Sequence, residues 1–187
     1  MLDSPVSMRA KIALLCFFLF ASQALAEAEI SEFRIGLDGD RVLATITLAN
    51  AFDHRFSERV DSGLPTSILY RLELFRDRKR WWDQRLREST FEVVATYDAV
   101  ARAYTVHYKL NDKLIESRTV RDRKGLEEAM TRVEQLPVFS VAGLPHEWRL
   151  LIKLEAELGS RTILSLIPVT ISTDWKESPK FRPPGVP

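Results

Sequence analysis

Gly63-Leu64-Pro65-Thr66-Ser67-Ile68-Leu69-Tyr70-Arg71-Leu72-Glu73-Leu74-Phe75 is the stretch whose reading decides the fold. Ile68, Tyr70, Leu72 and Leu74 fall on one parity and Ser67, Arg71 and Glu73 on the other. A period of two puts alternate side chains on one face of an extended chain, so the stretch reads as a long, half-buried β-strand. Leu69 and Phe75 interrupt the polar side, as a second layer covering its ends would allow. Upstream, Phe56, Val60 and Leu64 recur at helical spacing, and Gly63 suits a helix C-cap. A short helix over 51–62 is therefore expected to stop at Gly63 and feed a central strand.

Working towards the N-terminus, Phe33, Ile35 and Leu37 alternate up to Asp38-Gly39, and Val42, Ala44, Ile46 and Leu48 alternate beyond it. Asp-Gly between alternating runs signals a tight hairpin. Asp38 and Asp40 flank Gly39, but no ladder of carboxylates at calcium spacing follows, so the turn reading is preferred. Before this hairpin lies a different kind of segment. Arg9 and Lys11 precede an apolar run, Ile12–Phe20, and Ala24-Leu25-Ala26 follows. A basic region, a short apolar core and an A-x-A site make a secretory signal peptide, with cleavage expected after Ala26. The run is well short of the roughly 20 residues that span a bilayer. Cys16 sits inside the apolar core rather than after it, which argues against lipidation. Met8 gives a more compact basic region than Met1, and either fits a start.

Taking Arg9, Lys11 and Asp3 away from 27 basic and 26 acidic residues leaves 25 of each. A net charge of zero offers no global field for nucleic acid, and none is expected as a partner. Cys16 is the only cysteine, so the exported fold is expected to rest on core packing without a disulfide.

Working towards the C-terminus, Trp82–Tyr97 reads as the return strand, with a switch of parity near Glu88–Thr90 that calls for a bulge. Tyr104, Val106, Tyr108 and Leu110 form the next strand, and Asn111-Asp112 turns the chain into Lys113–Val120. Asp122 can cap a helix whose stripe would be Leu126, Ala129, Met130, Val133 and Leu136, ended by Pro137. Gly143-Leu144-Pro145 repeats Gly63-Leu64-Pro65, and Trp148, Leu150, Ile152 and Leu154 stand at the offsets of Ile68, Tyr70, Leu72 and Leu74. Both blocks would read helix, Gly-Leu-Pro, strand. Shared turn chemistry explains the match more simply than a duplication. Ile163–Ile171, interrupted by Pro168, is the last strand, and Ser178–Pro184 reads as a loose, proline-rich tail. The expected organisation is a signal peptide over 1–26, one β-rich domain over 27–176 and the tail over 177–187. The expected fold is an antiparallel two-sheet β-sandwich of about eight strands with one or two short helices.

The inventory for chemistry is thin. His54, His107 and His146 show no metal-ligand pairing, and no metal or cofactor is expected. There is no nucleophile elbow, Gly-rich phosphate loop or cysteine nucleophile. The one local anomaly is Arg76-Asp77-Arg78-Lys79-Arg80-Trp81-Trp82. Arg76, Arg78, Lys79, Arg80, Trp81 and Trp82 would form a basic, aromatic patch at the tip of a hairpin, suited to anionic lipid. The simpler account makes it a charged hairpin end whose tryptophans cap the core. Trp148 and Trp175 are expected as core or lid aromatics.

The signal segment, the Phe56–Pro65 helix ending in Ser62-Gly63-Leu64-Pro65, and the strand with Arg76-Asp77-Arg78-Lys79-Arg80-Trp81-Trp82-Asp83 together resemble the exported bacterial family called domain of unknown function 4390. The Tyr97–Tyr104 hairpin and the Leu126–Ala129 helix fit as well, and Trp175 with Ser178-Pro179 fits less closely. The resemblance implies no activity and supplies no catalytic residues. It implies an envelope setting and an envelope partner, since in some proteobacteria the family's genes neighbour that of a membrane sensor kinase of the nitrogen-regulation type. The expected function is thus a non-catalytic, protein-binding module of the periplasm or cell envelope, not an enzyme. Lipid or glycolipid binding is one alternative. An envelope hydrolase is the other, with His107 and His146 its only candidates. The sequence carries no signal for oligomeric state.

Overall fold

The computed structural model describes residues 27–78, 82–163 and 167–185. The segment read as a signal peptide, 1–26 with its cleavage site at Ala26, lies outside them. Among the described residues no helix is long and apolar enough to cross a membrane.

The central stretch forms β3 (Thr66–Arg76) as its alternation requires, with Ile68, Tyr70, Leu72 and Leu74 fully buried. Asp53 caps the helix before it, α1 (His54–Asp61), by accepting from the Phe56 N–H at 2.7 Å, and Phe56 and Val60 turn inward. Gly63 follows with φ +80°, the left-handed conformation that glycine adopts without a Cβ penalty. Strand β3 is flanked on both sides by antiparallel partners, β4 (Gln84–Asp98) and β8 (Leu150–Ile163). Tyr70 faces Phe91 on one side and Ala156 on the other, while Leu72 faces Ser89 and Leu154.

Beyond β4 come β5 (Ala103–Leu110) and β6 (Lys113–Val120), joined at Asn111 and Asp112, both with positive φ. A two-residue turn of that kind matches the twist of the strands it joins. With β9 (Ile167–Ser172) and β10 (Lys176–Glu177) along β8, this is a seven-stranded antiparallel sheet. The second sheet has three strands in the order β1 (Glu29–Asp38), β2 (Arg41–Ala49), β7 (Arg132–Ser140). The first hairpin turns through Gly39 and Asp40, with Asp38 opposite Arg41. One apolar cluster joins both sheets: Phe33, Ile46 and Leu136 from the smaller, Tyr70, Val93 and Leu154 from the larger. The expected antiparallel two-sheet sandwich is therefore the fold.

Five expectations need correction. The helix from Asp122 is α2 (Arg123–Thr131), and it ends before Val133 and Leu136, which belong to β7. Strand β7 bulges against β2, between the partners of Ala44 and Ile46, with Gln135 at φ +48°. One inserted residue turns a strand spacing of two into three, and that imitates helical periodicity. Pro137 is tolerated because β7 is an edge strand of its sheet. No glycine closes α2. Its last carbonyls are capped from the sheet instead, by the Tyr70 hydroxyl donating to the Met130 oxygen at 2.9 Å and Tyr108 donating to Ala129 at 3.1 Å.

The Gly-Leu-Pro repeat is also not a repeat of elements. Strand β7, not a helix, precedes Gly143, and β8 begins at Leu150 rather than close behind Pro145. The expected bulge in β4 exists but lies opposite Leu74 and Phe75, whose partners are Arg87 and Arg85. Among the described residues, β7 and β10 raise the number of strands from the expected eight to ten.

The last correction concerns the C-terminal segment, expected to be loose. Up to Phe181 it lies along the free side of β8, and beyond it the Pro183 oxygen meets His146. Leu150 and Phe181 exchange backbone hydrogen bonds at 2.8 and 2.9 Å, and the Ser178 N–H donates to the Ile152 oxygen at 2.8 Å. Where the ladder lapses, side chains fill in: Ala156 N–H donates to Thr173 Oγ1 and Ile152 N–H to Ser178 Oγ. A buried N–H left without an acceptor would cost about 1–3 kcal/mol, which gives two small hydroxyl residues a reason to be buried here.

Candidate functional site

The basic stretch does lie at a hairpin tip, between β3 and β4. Arg76 ends β3 with its guanidinium 3.9 Å from the centre of the Trp148 ring. The next residue, Asp77, accepts from Lys180 at 2.8 Å and lies 3.5 Å from Arg149. Two cations from distant parts of the chain therefore join the tip. Arg78 donates from its backbone to Asp83 at 3.4 Å and from its guanidinium to Gln84. Lys79, Arg80 and Trp81 lie outside the described residues. Trp82 is 92% exposed, so it caps no core, and Trp148 beneath Arg76 takes that place. Trp175 is 42% exposed at a shallow pocket with Ala28, Ile30 and Asn50.

The histidines are not brought together. His54 lies 3.4 Å from Glu58 on α1, His107 shares a hydrogen bond with Ser117 at 2.8 Å, and His146 contacts the Pro183 oxygen at 2.6 Å. Among the described residues no group of three His, Cys, Asp or Glu side chains could hold a metal. Carboxylates on the larger sheet are matched across strands. Arg71 meets Glu157 and lies 3.8 Å from Glu155, Arg85 meets Glu73 at 2.6 Å, and Lys109 meets Glu92 at 3.0 Å. A second tie links α1, β5 and α2. Asp61 accepts from Arg123 at 2.8 Å and from the Tyr104 hydroxyl at 2.9 Å. The Arg123 hydrogen bond holds the Asp61 carboxyl below its ordinary range, while burial, then the Asp61 hydrogen bond, push Tyr104 up.

The feature that sequence reading missed is a cleft of about 510 Å³ at the open side of the sandwich. Its floor is backed by buried apolar side chains, Phe91 and Tyr108, stacked 6.2 Å apart on the larger sheet, and Val133 and Leu136 of β7, with the half-exposed Ile115 of β6 at its edge. Charges of both signs ring it: Glu116 and Arg118 of β6, Glu128 of α2, Arg132 and Glu134 of β7. The Arg118 hydrogen bond lowers the Glu116 carboxyl, and Glu116 in turn raises Arg118. Every residue of β6 from Lys113 to Thr119 is exposed, including Leu114 at 60% and Ile115 at 51%. Adjacent exposed Leu114 and Ile115 were the signal: an apolar pair that breaks alternation fits no buried face. The lining could not be assembled from sequence, because Arg132, Val133, Glu134 and Leu136 come from a strand that reads as helix.

A family model described as domain of unknown function, DUF4390, matches residues 26–180. The chain belongs to this family. The DUF4390 match runs from the residue before the described region almost to the end of the docked C-terminal segment, so the whole sandwich is the family's unit. No curated protein and no solved structure matches the chain.

Proposed function

We propose that this DUF4390 protein is a non-catalytic, protein-binding module of the cell envelope, exported by a signal peptide ending at Ala26. The observation that carries this reading is the cleft. An apolar floor inside a rim of mixed charge is the anatomy of a protein interface, where a desolvated centre provides affinity and the rim provides register. Glu73, Glu92 and Glu157 of the larger sheet are engaged with cations across neighbouring strands, and Glu116 at the cleft is held by Arg118, which favours binding over acid–base chemistry. A membrane sensor or regulator is the partner that the family resemblance suggests. The test places a photo-crosslinking residue at Glu134 on the rim, and another at Glu92 on the opposite, outer face of the larger sheet. Crosslinking in intact cells should give one discrete membrane-protein adduct from position 134 and none from position 92. Equal patterns at both positions, with purified protein turning over an envelope polymer, would reverse the reading in favour of an enzyme.

A second reading, contact with anionic lipid through the hairpin tip, is favoured by one observation. Trp82 stands exposed beside Arg78, and Lys180 and Arg149 arrive at the same end.

A further inference from the structure

Strand β6 ends the larger sheet, and among the described residues no strand pairs with its outer edge. An exposed edge presents a row of N–H and C=O groups ready to pair. The other edges are shorter, partly occupied or interrupted: β9 contains Pro168, and β1 has a register shift between Ile30 and Glu32, where Lys176 donates to the Ile30 carbonyl. Strand β7 carries Pro137 and two register shifts, and the opposite side of the larger sheet is covered by the docked C-terminal segment. Strand β6 contains no proline, and its one irregularity lies near Ile115, opposite Tyr108 and Lys109.

We infer that β6 pairs antiparallel with β6 of a second copy of this chain, about a two-fold axis at Ser117. The geometry of the strand selects this register. A two-fold perpendicular to the sheet leaves each side chain on its own face, so a residue must lie opposite its own copy at the axis. Centring on Glu116 sets two carboxylates against each other, and centring on Arg118 sets two guanidinium groups together, both destabilising. Centring on Ile115 falls on the irregular stretch and leaves a short ladder. Centring on Ser117 places a small hydroxyl residue at the axis and Glu116 opposite Arg118 of the other copy twice over, on the regular side of the bulge at Ile115. Opposite charges then meet on the face shared with Tyr108 and Val106, which are the β5 partners of Glu116 and Arg118. Because Glu116, Arg118 and Val120 also line the cleft, the pairing joins the clefts of two copies into one concave surface. The dimer goes beyond the protein-binding reading and does not require it.

The register gives a direct test by disulfide trapping. Opposed Cα atoms in antiparallel strands lie about 4.5–5.5 Å apart, within the roughly 4.4–6.8 Å that a disulfide spans. In a Cys16→Ser background an introduced cysteine is the chain's only one. Ser117→Cys should crosslink to its own copy on oxidation. Thr119→Cys should not, since the two copies of Thr119 would lie four residues apart, about 13 Å. Light scattering of the unmodified protein should give a dimeric mass that falls with dilution. Glu116→Arg should weaken the dimer about tenfold or more while leaving the circular dichroism of the fold unchanged, and adding Arg118→Glu should restore it. A monomeric mass at the highest concentration reached, or Thr119→Cys crosslinking as readily as Ser117→Cys, would overturn the inference. A dimer that gives no adduct at position 134 would remove the partner reading and leave the pairing standing, and an adduct on a monomer would do the reverse.

Discussion

Replacing Tyr70 with alanine should destabilise the protein by about 3–5 kcal/mol in denaturant titrations, a large share of the 5–15 kcal/mol typical of a whole domain. Tyr70 is fully buried at the centre of β3, with its ring 6.0 Å from Phe91. Its hydroxyl reaches through the core to the Met130 carbonyl at the end of α2. Truncation would therefore open a cavity and leave a buried carbonyl without its donor. Tyr70→Phe separates the two effects, keeping the ring and costing about 1–3 kcal/mol for the orphaned acceptor. A cost below about 1 kcal/mol for the alanine variant would mean that α2 is not packed on this strand.

The same residue sets an alkaline limit. Burial raises the Tyr70 phenol well above its ordinary value of 10.0, so the native state holds this proton after the unfolded chain has released it. The contribution to stability is complete below pH 10 and falls as pH rises towards the native pKa. Each such group can take away at most about 1.4 kcal/mol per pH unit. Tyr108 and Tyr104, both raised mainly by burial, act in the same sense. Stability measured between pH 9 and 11 should fall less steeply in Tyr70→Phe than in the unmodified protein. Equal slopes would show that the hydroxyl is not buried.

The second large effect belongs to the hairpin tip. Changing Arg78, Lys79 and Arg80 to serine should weaken binding to anionic liposomes by roughly 3 kcal/mol at low salt, more than a hundredfold, at about 1 kcal/mol per cation. Raising the salt should shrink that difference. Arg76 must be left in place. It stacks on Trp148, which packs against the core, so its removal would confuse folding with binding. Trp82→Ala should lower affinity further without moving the melting temperature, because the exposed ring has no packing to lose. If the unmodified protein ignores anionic vesicles and the serine variant melts lower, the tip is a structural cap.

Alternation determined most of what the sequence could determine by itself. Strands β2, β3, β4 and β5 are legible because one face of each is buried, and a period of two leaves few alternatives. Asp53 and Asp122, with the turns at Gly39 and Asn111-Asp112, are legible because capping and positive φ are local demands met by a few residue types. The charged tip was legible as a cluster, and its position followed from the hairpin.

What only the tertiary structure decided arises between distant residues. The end of α2 depends on hydroxyls donated by Tyr70 and Tyr108, 60 and 21 residues away in the chain, which no local pattern near Thr131 records. Strand β7 reads as helix because a bulge disguises its period. The C-terminal segment looks loose by composition, yet it docks because β8 would otherwise have an open edge that Thr173 and Ser178 can help to close. The cleft draws its lining from β4, β5, β6, α2 and β7 together. A periodic signal reports which face of an element is buried. It cannot report which element lies against that face, because that choice is made by contacts between residues far apart in the chain.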